Sequence, residues 1–480
     1  GLYFADGQIL DEVYVYGSFT QSKMYQRDVQ CSDCHDVHSI EPVFEDNELC
    51  LQCHREAEYD TKEHHFHKFA GEEGEPILGD DGAVLFEVGT GALCRECHMP
   101  GRYYMGNDYR PDHSFRVPNP ALSAAIGSPD PCLRCHADQD AEWSQEKVTE
   151  WYGPGQAAHY GEVIARGRRG EAGTGGELRA LVTDDLYPVL VRATALNLLG
   201  AYPGRETQQV LEIALVDEEA IIRRTAVAML SYPDPAKLAR ALSLALEDPV
   251  KTVRIEAANR LAGELTRYLS TAKLKRFETV LQEYRETMLY SADFAFGRYN
   301  LGNLHNALGE QDDALREYEA AIRIDTEFFP AKANLALLYN SRGENEKAEK
   351  LLREILETQP EMYDIAYNLA LLLVEMERHD EAVPFLESAS AGMPERGRIH
   401  YNLGLLYQQQ QNIIMAESKL RQALETDPQN LEFQYGLADH YIKRGLFTQA
   451  LPVVELMVRT HPEEEIGMQM LNFIQRNLQQ

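Results

Sequence analysis

Cysteine is missing from most of this chain of 480 residues, because all eight cysteines lie between Cys31 and Cys135. Basic residues are also scarce, with 46 Lys and Arg against 77 Asp and Glu and a net charge of -31. Such acidity disfavours nucleic acids and anionic membrane surfaces as partners. No apolar run approaches the roughly 18 residues that a membrane span requires, and we therefore expect no membrane span.

A leader segment is missing as well. Gly1 is not followed by a charged stretch that leads into an apolar one, which is the pattern of an export signal. We expect that any export signal or upstream region has been removed or was never included in this chain.

Two kinds of internal repeat fill the second part of the chain. The segments VRATALNLL, IRRTAVAML and VRIEAANRL begin 31 residues apart and keep Arg192, Arg223 and Arg254 in register. From about residue 291 the period becomes 34, with Ala at one recurring position and Pro at another. A small residue where paired helices cross and a Pro at the start of the next repeat are typical of tetratricopeptide repeats. The recurring alanines are Ala314, Ala348, Ala382, Ala416 and Ala450.

These patterns predict a mostly α fold. We expect an irregular and α-helical N-terminal domain at residues 1–165, followed by a Gly-rich linker at 166–176. HEAT-like helical repeats at 177–288 then lead into a solenoid of about five tetratricopeptide repeats and a capping helix at 289–480. Ten of the fifteen histidines precede residue 160, in the same region as the cysteines.

All eight cysteines belong to four copies of one motif, and a histidine follows each copy directly: CSDCH, CLQCH, CRECH and CLRCH. Two thiols three residues apart can add to the two vinyl groups of a haem, and the next histidine then supplies a ligand to iron. A zinc ribbon is the main rival, because Cys34 and Cys50 enclose a stretch of suitable length. Zinc gives no reason for a histidine after each pair, so the motifs predict an N-terminal tetrahaem cytochrome c domain with four haem c groups.

The motif residues then have defined roles. The cysteines that would attach haem covalently are Cys31, Cys34, Cys50, Cys53, Cys94, Cys97, Cys132 and Cys135. The histidines that would bind iron on the proximal side are His35, His54, His98 and His136.

Six further histidines in this region are candidates for the distal iron ligands. His38 follows His35 by one short turn and points away from that iron, so we expect it to reach a neighbouring haem. At least one histidine of HHFH is expected to ligate, and the sequence alone does not distinguish the three. The six candidates are His38, His64, His65, His67, His113 and His159.

Four motifs within about 106 residues force the haems close together, which favours electron transfer. If every iron has two protein ligands, none is open to substrate. We therefore favour an electron carrier over an enzyme. One unfilled distal position would instead indicate an oxidoreductase acting on a small nitrogen or sulfur oxyanion, and stacked tetrahaem domains would indicate a subunit of a conductive filament or other homo-oligomer.

Charge and repeats bear on partners and location. Residues 1 to 160 contain 29 Asp and Glu against 11 Lys and Arg, a net charge of -18. This charge would attract a basic redox partner or simply maintain solubility.

The repeats are expected to bind a protein or peptide, because stacked helix pairs form extended concave surfaces. Covalent haem attachment takes place outside the bacterial energy-conserving membrane, so we expect a periplasmic or extracellular protein.

Several stretches resemble the multihaem c-type cytochromes that carry C-terminal tetratricopeptide repeats. Members of that family usually extend upstream with further haem motifs, so the resemblance implies that Gly1 falls inside a longer protein or beside an upstream haem-bearing polypeptide. The similar stretches are GLYFADGQILDEVYVYGSF, CSDCHDVHS, CHMP, YMGNDYRPDHSFRVPNP, CLRCHADQDAEW and WYGPG.

CHMP followed by an Asp-His pair is also similar to the pentahaem nitrite reductases, in which such a histidine ligates a haem. The similarity implies that His113 is a ligand. The catalytic haem of those enzymes commonly uses Lys in place of the motif histidine, whereas all four motifs here end in His, which argues against nitrite reduction.

Overall fold

The computed structural model describes residues 2–11, 14–155 and 158–479. The chain divides into two compact units, Gly1–Glu283 (unit 1) and Tyr284–Gln480 (unit 2). The division falls within the helix Thr271–Tyr290, close to the boundary after residue 288 expected from the sequence. Gly1, on which the expectation of an upstream neighbour depends, lies outside the described residues.

The motif-bearing part of unit 1 consists of short elements joined by loops. Frequent Gly and Pro interrupt the chain here, so no long helix forms before residue 141. The α-helices are Tyr16–Phe19, Glu48–Leu51, Glu56–Tyr59, Lys62–His65, Cys94–His98, Pro120–Ile126, Pro131–Cys135, Ala141–Tyr152 and Tyr160–Arg168. The 3₁₀ helices are Tyr25–Arg27, Cys31–Asp33 and Thr90–Ala92.

Two small antiparallel hairpins complete this part. The strands Ile77–Leu78 and Val84–Phe86 pair with each other, as do Arg102–Tyr104 and Asp108–Arg110. In the second hairpin Tyr103 lies opposite Tyr109.

Asp112 ties the start of the chain to this region. Its carboxylate accepts hydrogen bonds from the backbone N–H of Ile9 at 2.7 Å and of Ser114 at 2.7 Å. The hydroxyl of Tyr160 donates to the carbonyl of Asp6 at 2.7 Å. The N-terminal segment is therefore fixed against the loop that carries His113.

The rest of unit 1 is built from helix pairs. The equivalent helices Val189–Leu198, Ala220–Met229 and Lys251–Leu261 pack side by side, and each contains one of the arginines that recur every 31 residues. The other elements are the helices Gly175–Thr183, Arg205–Ala214, Pro235–Ala245 and Thr271–Tyr290 and the 3₁₀ helices Leu199–Ala201 and Glu264–Tyr268.

Each recurring arginine forms an ion pair with an acidic residue further along the chain. Arg192 contacts Asp217, Arg223 contacts Asp248 at 2.7 Å, and Arg254 contacts Glu283 at 2.7 Å. The register seen in the sequence therefore corresponds to a ladder of mostly buried ion pairs.

Unit 2 contains helices of nearly constant length, and each packs against the helix that follows it in the chain. The five recurring alanines are fully buried, because a side chain no larger than methyl lets two helix backbones approach closely where they cross. The helices are Ala295–Ala307, Gln311–Ile324, Phe329–Ser341, Asn345–Thr358, Tyr363–Glu375, His379–Gly392, Gly397–Gln409, Ile413–Thr426, Leu431–Ile442, Phe447–Thr460 and Glu465–Leu478. Among the helices of the described residues, none is long and apolar enough to cross a membrane.

Candidate functional site

Each CxxCH motif forms a single helical turn. The backbone N–H of the motif histidine bonds to the carbonyl of the first cysteine at 2.9 Å in the first and second motifs and at 3.0 Å in the fourth, and the third motif is the helix Cys94–His98. Residues three apart in a helical turn lie on one face. Both thiols of each motif are therefore presented on the same side.

Local contacts fix two of these turns. The backbone N–H of Cys94 donates to the side-chain oxygen of Asn47 at 2.8 Å. The fourth motif begins after Pro131, and the carboxylate of Asp130 accepts from the N–H of Cys132 at 3.0 Å. Pro at the first helical position and Asp at the N-cap favour the start of a helix at this point.

The thiol pairs lie next to one another in the order of the chain. Burial raises the pKa of Cys34, and the nearby Cys50 raises it further. Cys50 in turn shares a hydrogen bond with Cys94, which lowers the pKa of Cys50 to about 7. Burial raises the pKa of Cys97 to about 11, with a further contribution from Cys135 in the fourth motif.

Three motif histidines each face a histidine from outside the motifs. The ring centres of His35 and His113 are 6.2 Å apart, those of His98 and His64 are 6.3 Å apart, and those of His136 and His67 are 6.2 Å apart. Two imidazoles on opposite sides of one metal ion, with metal–nitrogen distances of about 2 Å, have ring centres roughly 6 Å apart. All three pairs therefore have the spacing needed to enclose an iron.

Hydrogen bonds orient the Nε2 atoms of these rings. His35 donates from Nδ1 to the carbonyl of Ile40 at 2.8 Å, and His98 donates to the carbonyl of Arg116 at 2.8 Å. His113 likewise donates to the carbonyl of Pro111 at 3.0 Å, and His67 donates to the carbonyl of His65. A proton held on Nδ1 leaves the Nε2 lone pair free to bind a metal ion.

For His98, His113 and His136 the surroundings also favour the neutral imidazole. Burial lowers the pKa of His98, with further lowering by His64 and His54. Burial likewise lowers the pKa of His113 and of His136. A neutral imidazole is the form that coordinates metal.

His65 and His159 accept hydrogen bonds at Nδ1 instead. The Nδ1 of His65 accepts from the backbone N–H of His67 at 3.1 Å. The Nδ1 of His159 accepts from the N–H of Gly161 at 3.0 Å and caps the helix Tyr160–Arg168. Because a backbone N–H can only donate, the proton of each neutral imidazole is on Nε2, which leaves no lone pair there for iron.

His38 and His54 are not brought together with another histidine in this way. His38 is exposed, in a turn where Asp36 accepts from the N–H groups of His38 and Ser39. The ring of His54 is also exposed, and the Tyr59 ring lies edge-on to it, with centres 5.6 Å apart.

The third and fourth motifs both line one large, mostly apolar cavity. Its volume is about 1010 Å³, at the upper end of the range of roughly 300–1,000 Å³ for sites that hold drug-sized ligands. Its walls include Cys94, Cys97, Cys132, Cys135, His64, His67, His98 and His136. The thiols and imidazoles of two motifs thus line space for a large apolar group.

Arg116 is a residue of this cavity that the motifs did not predict. Its Nε and Nη2 atoms are buried without a hydrogen-bond partner among the described residues. The guanidinium also lies over the Tyr160 ring, 5.7 Å from its centre. Buried nitrogens without a hydrogen-bond partner are costly, so this side chain is suited to an anionic group such as a haem propionate. Its backbone pairs with His98 through two hydrogen bonds, from Arg116 N–H to the His98 carbonyl at 3.0 Å and from His98 Nδ1 to the Arg116 carbonyl.

The cysteine motifs also did not predict a role for the aromatic residues around the fourth motif. Trp151 stacks on Phe66 with ring centres 4.7 Å apart, and Trp143 lies 4.9 Å from the His136 ring. The composition could have pointed to them, because these two are the only tryptophans in the chain and both lie close to the motifs in the sequence. Both contribute apolar surface to the cavity.

The zinc ribbon considered as the rival for the cysteines can be compared with the structure. All eight cysteines are free thiols, so no disulfide forms. Across the described residues, one group of three metal-ligand side chains has its ligand atoms within 4.8 Å of one another, and it consists of His305, Glu310 and Asp313 in unit 2. The cysteines of the zinc-ribbon alternative are therefore not part of the one such group found among the described residues.

Comparisons with known proteins concern the C-terminal region. Tetratricopeptide repeat models match residues 415–471, residues 333–395, and residues 297–328 together with 397–430. The prediction of tetratricopeptide repeats is therefore confirmed. The matched segments begin at residue 297, and the haem assignment of unit 1 stays a prediction. No curated protein matches the chain.

Solved structures of repeat proteins show a limited likeness. YrrB, described as a TPR protein with an unusual peptide-binding site, is 19% identical with a TM-score of 0.35, and the match covers 39% of this chain and 96% of that chain. MamA 41-end from Desulfovibrio magneticus RS-1 is 18% identical with a TM-score of 0.32, and the match covers 35% of this chain and 93% of that chain.

Proposed function

We propose that this protein is a multihaem c-type cytochrome that carries electrons through four covalently bound haems. The observation that carries the proposal is the pairing of three motif histidines with three non-motif histidines at one common spacing. Among the described residues, each of these pairs joins a motif histidine to a histidine outside the motifs, as expected if each motif has its own iron. His113 with His35, His64 with His98, and His67 with His136 would then hold three of the four irons.

The surroundings of the third and fourth motifs fit haem in two further ways. The cavity between them is lined mainly by apolar atoms, which suits a porphyrin. Arg116 supplies a buried positive charge for a propionate.

The protein residues hold, space and orient the cofactors. Haem supplies one-electron redox chemistry when it is bound. The thiols fix each group at a separate helical turn, and carbonyl groups of the backbone orient the imidazoles through Nδ1. Because thiols of successive motifs lie close to one another, haems bound there would follow one another in the order of the motifs.

The tetratricopeptide repeats are suited to protein docking or assembly. We assign to them the capture of a protein or peptide partner, and to the acidic residues 1 to 160 the attraction of a basic redox protein. Covalent haem attachment places the mature protein in the periplasm or outside the cell.

A haem count of the protein, produced in a host that matures c-type cytochromes, tests the proposal. We expect four haems per chain that survive acid extraction, and three after the double replacement Cys132→Ala and Cys135→Ala. His305→Ala, which changes a histidine of unit 2, is the matched control and should retain four. A chain that matures without covalent haem would refute the proposed function.

A further inference from the structure

The second motif differs from the other three in what faces its histidine. His35, His98 and His136 each have an imidazole opposite at 6.2 to 6.3 Å. Among the described residues, the aromatic ring that packs against His54 is the phenol of Tyr59. It lies edge-on, at an interplanar angle of 87°.

The remaining histidines of the region do not fill this position. His65 and His159 accept hydrogen bonds at Nδ1, so their neutral rings carry the proton on Nε2. The His38 ring is exposed to solvent. Among the described residues, it does not pair with a motif histidine at the distance of about 6 Å seen in the other three pairs.

The second motif is also open to solvent. Both Cys53 and His54 are exposed, whereas His98 in the third motif is partly buried. A small molecule therefore has direct access to a group held at Cys50 and Cys53.

The charge beside His54 favours some ligands over others. The segment 55–60, which packs on His54 through Tyr59, carries Glu56, Glu58 and Asp60 against the single Arg55. An anion approaching this surface is repelled, whereas a neutral or cationic donor is not.

The site is connected to the others. Cys50 contacts Cys94 of the third motif, and the Tyr59 ring lies between His54 and His64, 5.4 Å from the latter. A ligand bound here would therefore sit next to the His98–His64 pair.

We propose that the iron held by Cys50, Cys53 and His54 keeps its distal position for one small uncharged nitrogen ligand, of the class of imidazole, ammonia or hydroxylamine. The inference rests on the proposed function, since it concerns one of the four haems. The other three irons are closed by His113, His64 and His67.

Electron paramagnetic resonance of the oxidised full-length holoprotein tests this inference, with imidazole and nitrite as probes. We expect one high-spin haem in four, converted to low spin by one equivalent of bound imidazole. Nitrite should bind at least tenfold more weakly. The haem count separates the two ideas: four haems that are all low-spin would overturn this inference and leave the proposed function standing.

Variants assign the signal to the second motif. The double replacement Cys50→Ala and Cys53→Ala should leave three haems and remove the high-spin signal. The matched control, Cys31→Ala with Cys34→Ala, should also leave three haems but retain the signal. Retention of the high-spin signal in the first variant would overturn the assignment.

If all four haems of the wild-type protein are low-spin, a variant can identify the ligand responsible. If His38→Ala creates a high-spin haem in such a protein, His38 is the sixth ligand and the inference is wrong. Nitrite binding as tight as imidazole binding would overturn the preference for an uncharged ligand. The wild-type spectrum decides the main point even if a variant does not fold.

Discussion

At the scale of single residues, the stretch HHFH shows how neighbouring histidines acquire different roles. His64 faces His98, His67 faces His136, and His65 lies between them with Nδ1 occupied by a backbone N–H. The sequence offered all three as candidate ligands. The choice depends on hydrogen bonds and on residues distant in the chain, which the local sequence does not specify.

Gly91 provides a test of the role of His67. A Cβ atom at position 91 would overlap the His67 ring, and Gly91 has a backbone conformation that alanine adopts without strain. We therefore expect Gly91→Ala to push the His67 ring away from His136. In the holoprotein this should convert one further haem from low to high spin, measured by electron paramagnetic resonance.

Gly176→Ala is the matched control for this prediction. The nearest atom to a Cβ at position 176 is 3.8 Å away, an ordinary contact, so the spectrum should not change. An unchanged spectrum in Gly91→Ala would show that His67 is not the distal ligand of the fourth motif.

At the scale of elements, the arginine ladder of unit 1 is the clearest link between sequence and packing. Arg223 and Asp248 form two hydrogen bonds, at 2.7 and 3.0 Å, and both side chains are about nine-tenths buried. Burial alone would raise the pKa of Asp248. The hydrogen bonds from Arg223 and from the Val250 N–H outweigh burial and hold that pKa below its usual range.

We expect Asp248→Asn to lower the free energy of unfolding of unit 1 by about 3 kcal/mol at pH 7, because it leaves the buried Arg223 without its charge partner. The contribution of Asp248 is complete above the unfolded pKa of about 3.9 and is lost as pH falls through the lower folded value. Urea denaturation of wild type and variant at several pH values would measure both effects, and the difference should shrink at acidic pH.

Asp312→Asn is the control for the ion pair, because Asp312 contacts Arg342 while its own side chain is 78% exposed. Exposed pairs contribute little to stability, so no measurable change is expected. Equal effects of the two substitutions would contradict the argument from burial.

Features that depend on interactions within a short stretch of chain could be predicted from the sequence, whereas contacts between distant residues could not. Helix pairs with periods of 31 and 34 residues were predictable, because each repeat contains its own apolar pattern and its own small residue at the crossing. The cysteines that we propose as haem attachment points could be predicted for the same reason, since each motif is a local turn. The pairing of His35 with His113 joins distant loops, and the buried Arg116 becomes visible only when the chain has folded.

At the scale of the whole molecule, charge is distributed unevenly over the sequence. Residues 1 to 160 contribute -18 of the net charge of -31, and the proposed haems would add propionates to the same region. The motif-bearing part is therefore the more acidic part in proportion to its length. Small charged oxidants approaching it should respond to this field.

This field predicts opposite salt effects for probes of opposite charge. Oxidation of the reduced holoprotein by the cation hexaammineruthenium(III) should slow as ionic strength rises, because salt screens the attraction. Oxidation by the anion ferricyanide should become faster, because salt screens the repulsion. Stopped-flow rates at 0.01 and 0.5 M ionic strength would measure both, and truncation after Tyr290 should preserve the contrast because the acidic motif region remains. Identical salt responses of the two probes would show that the acidity does not act at the redox site and serves solubility instead.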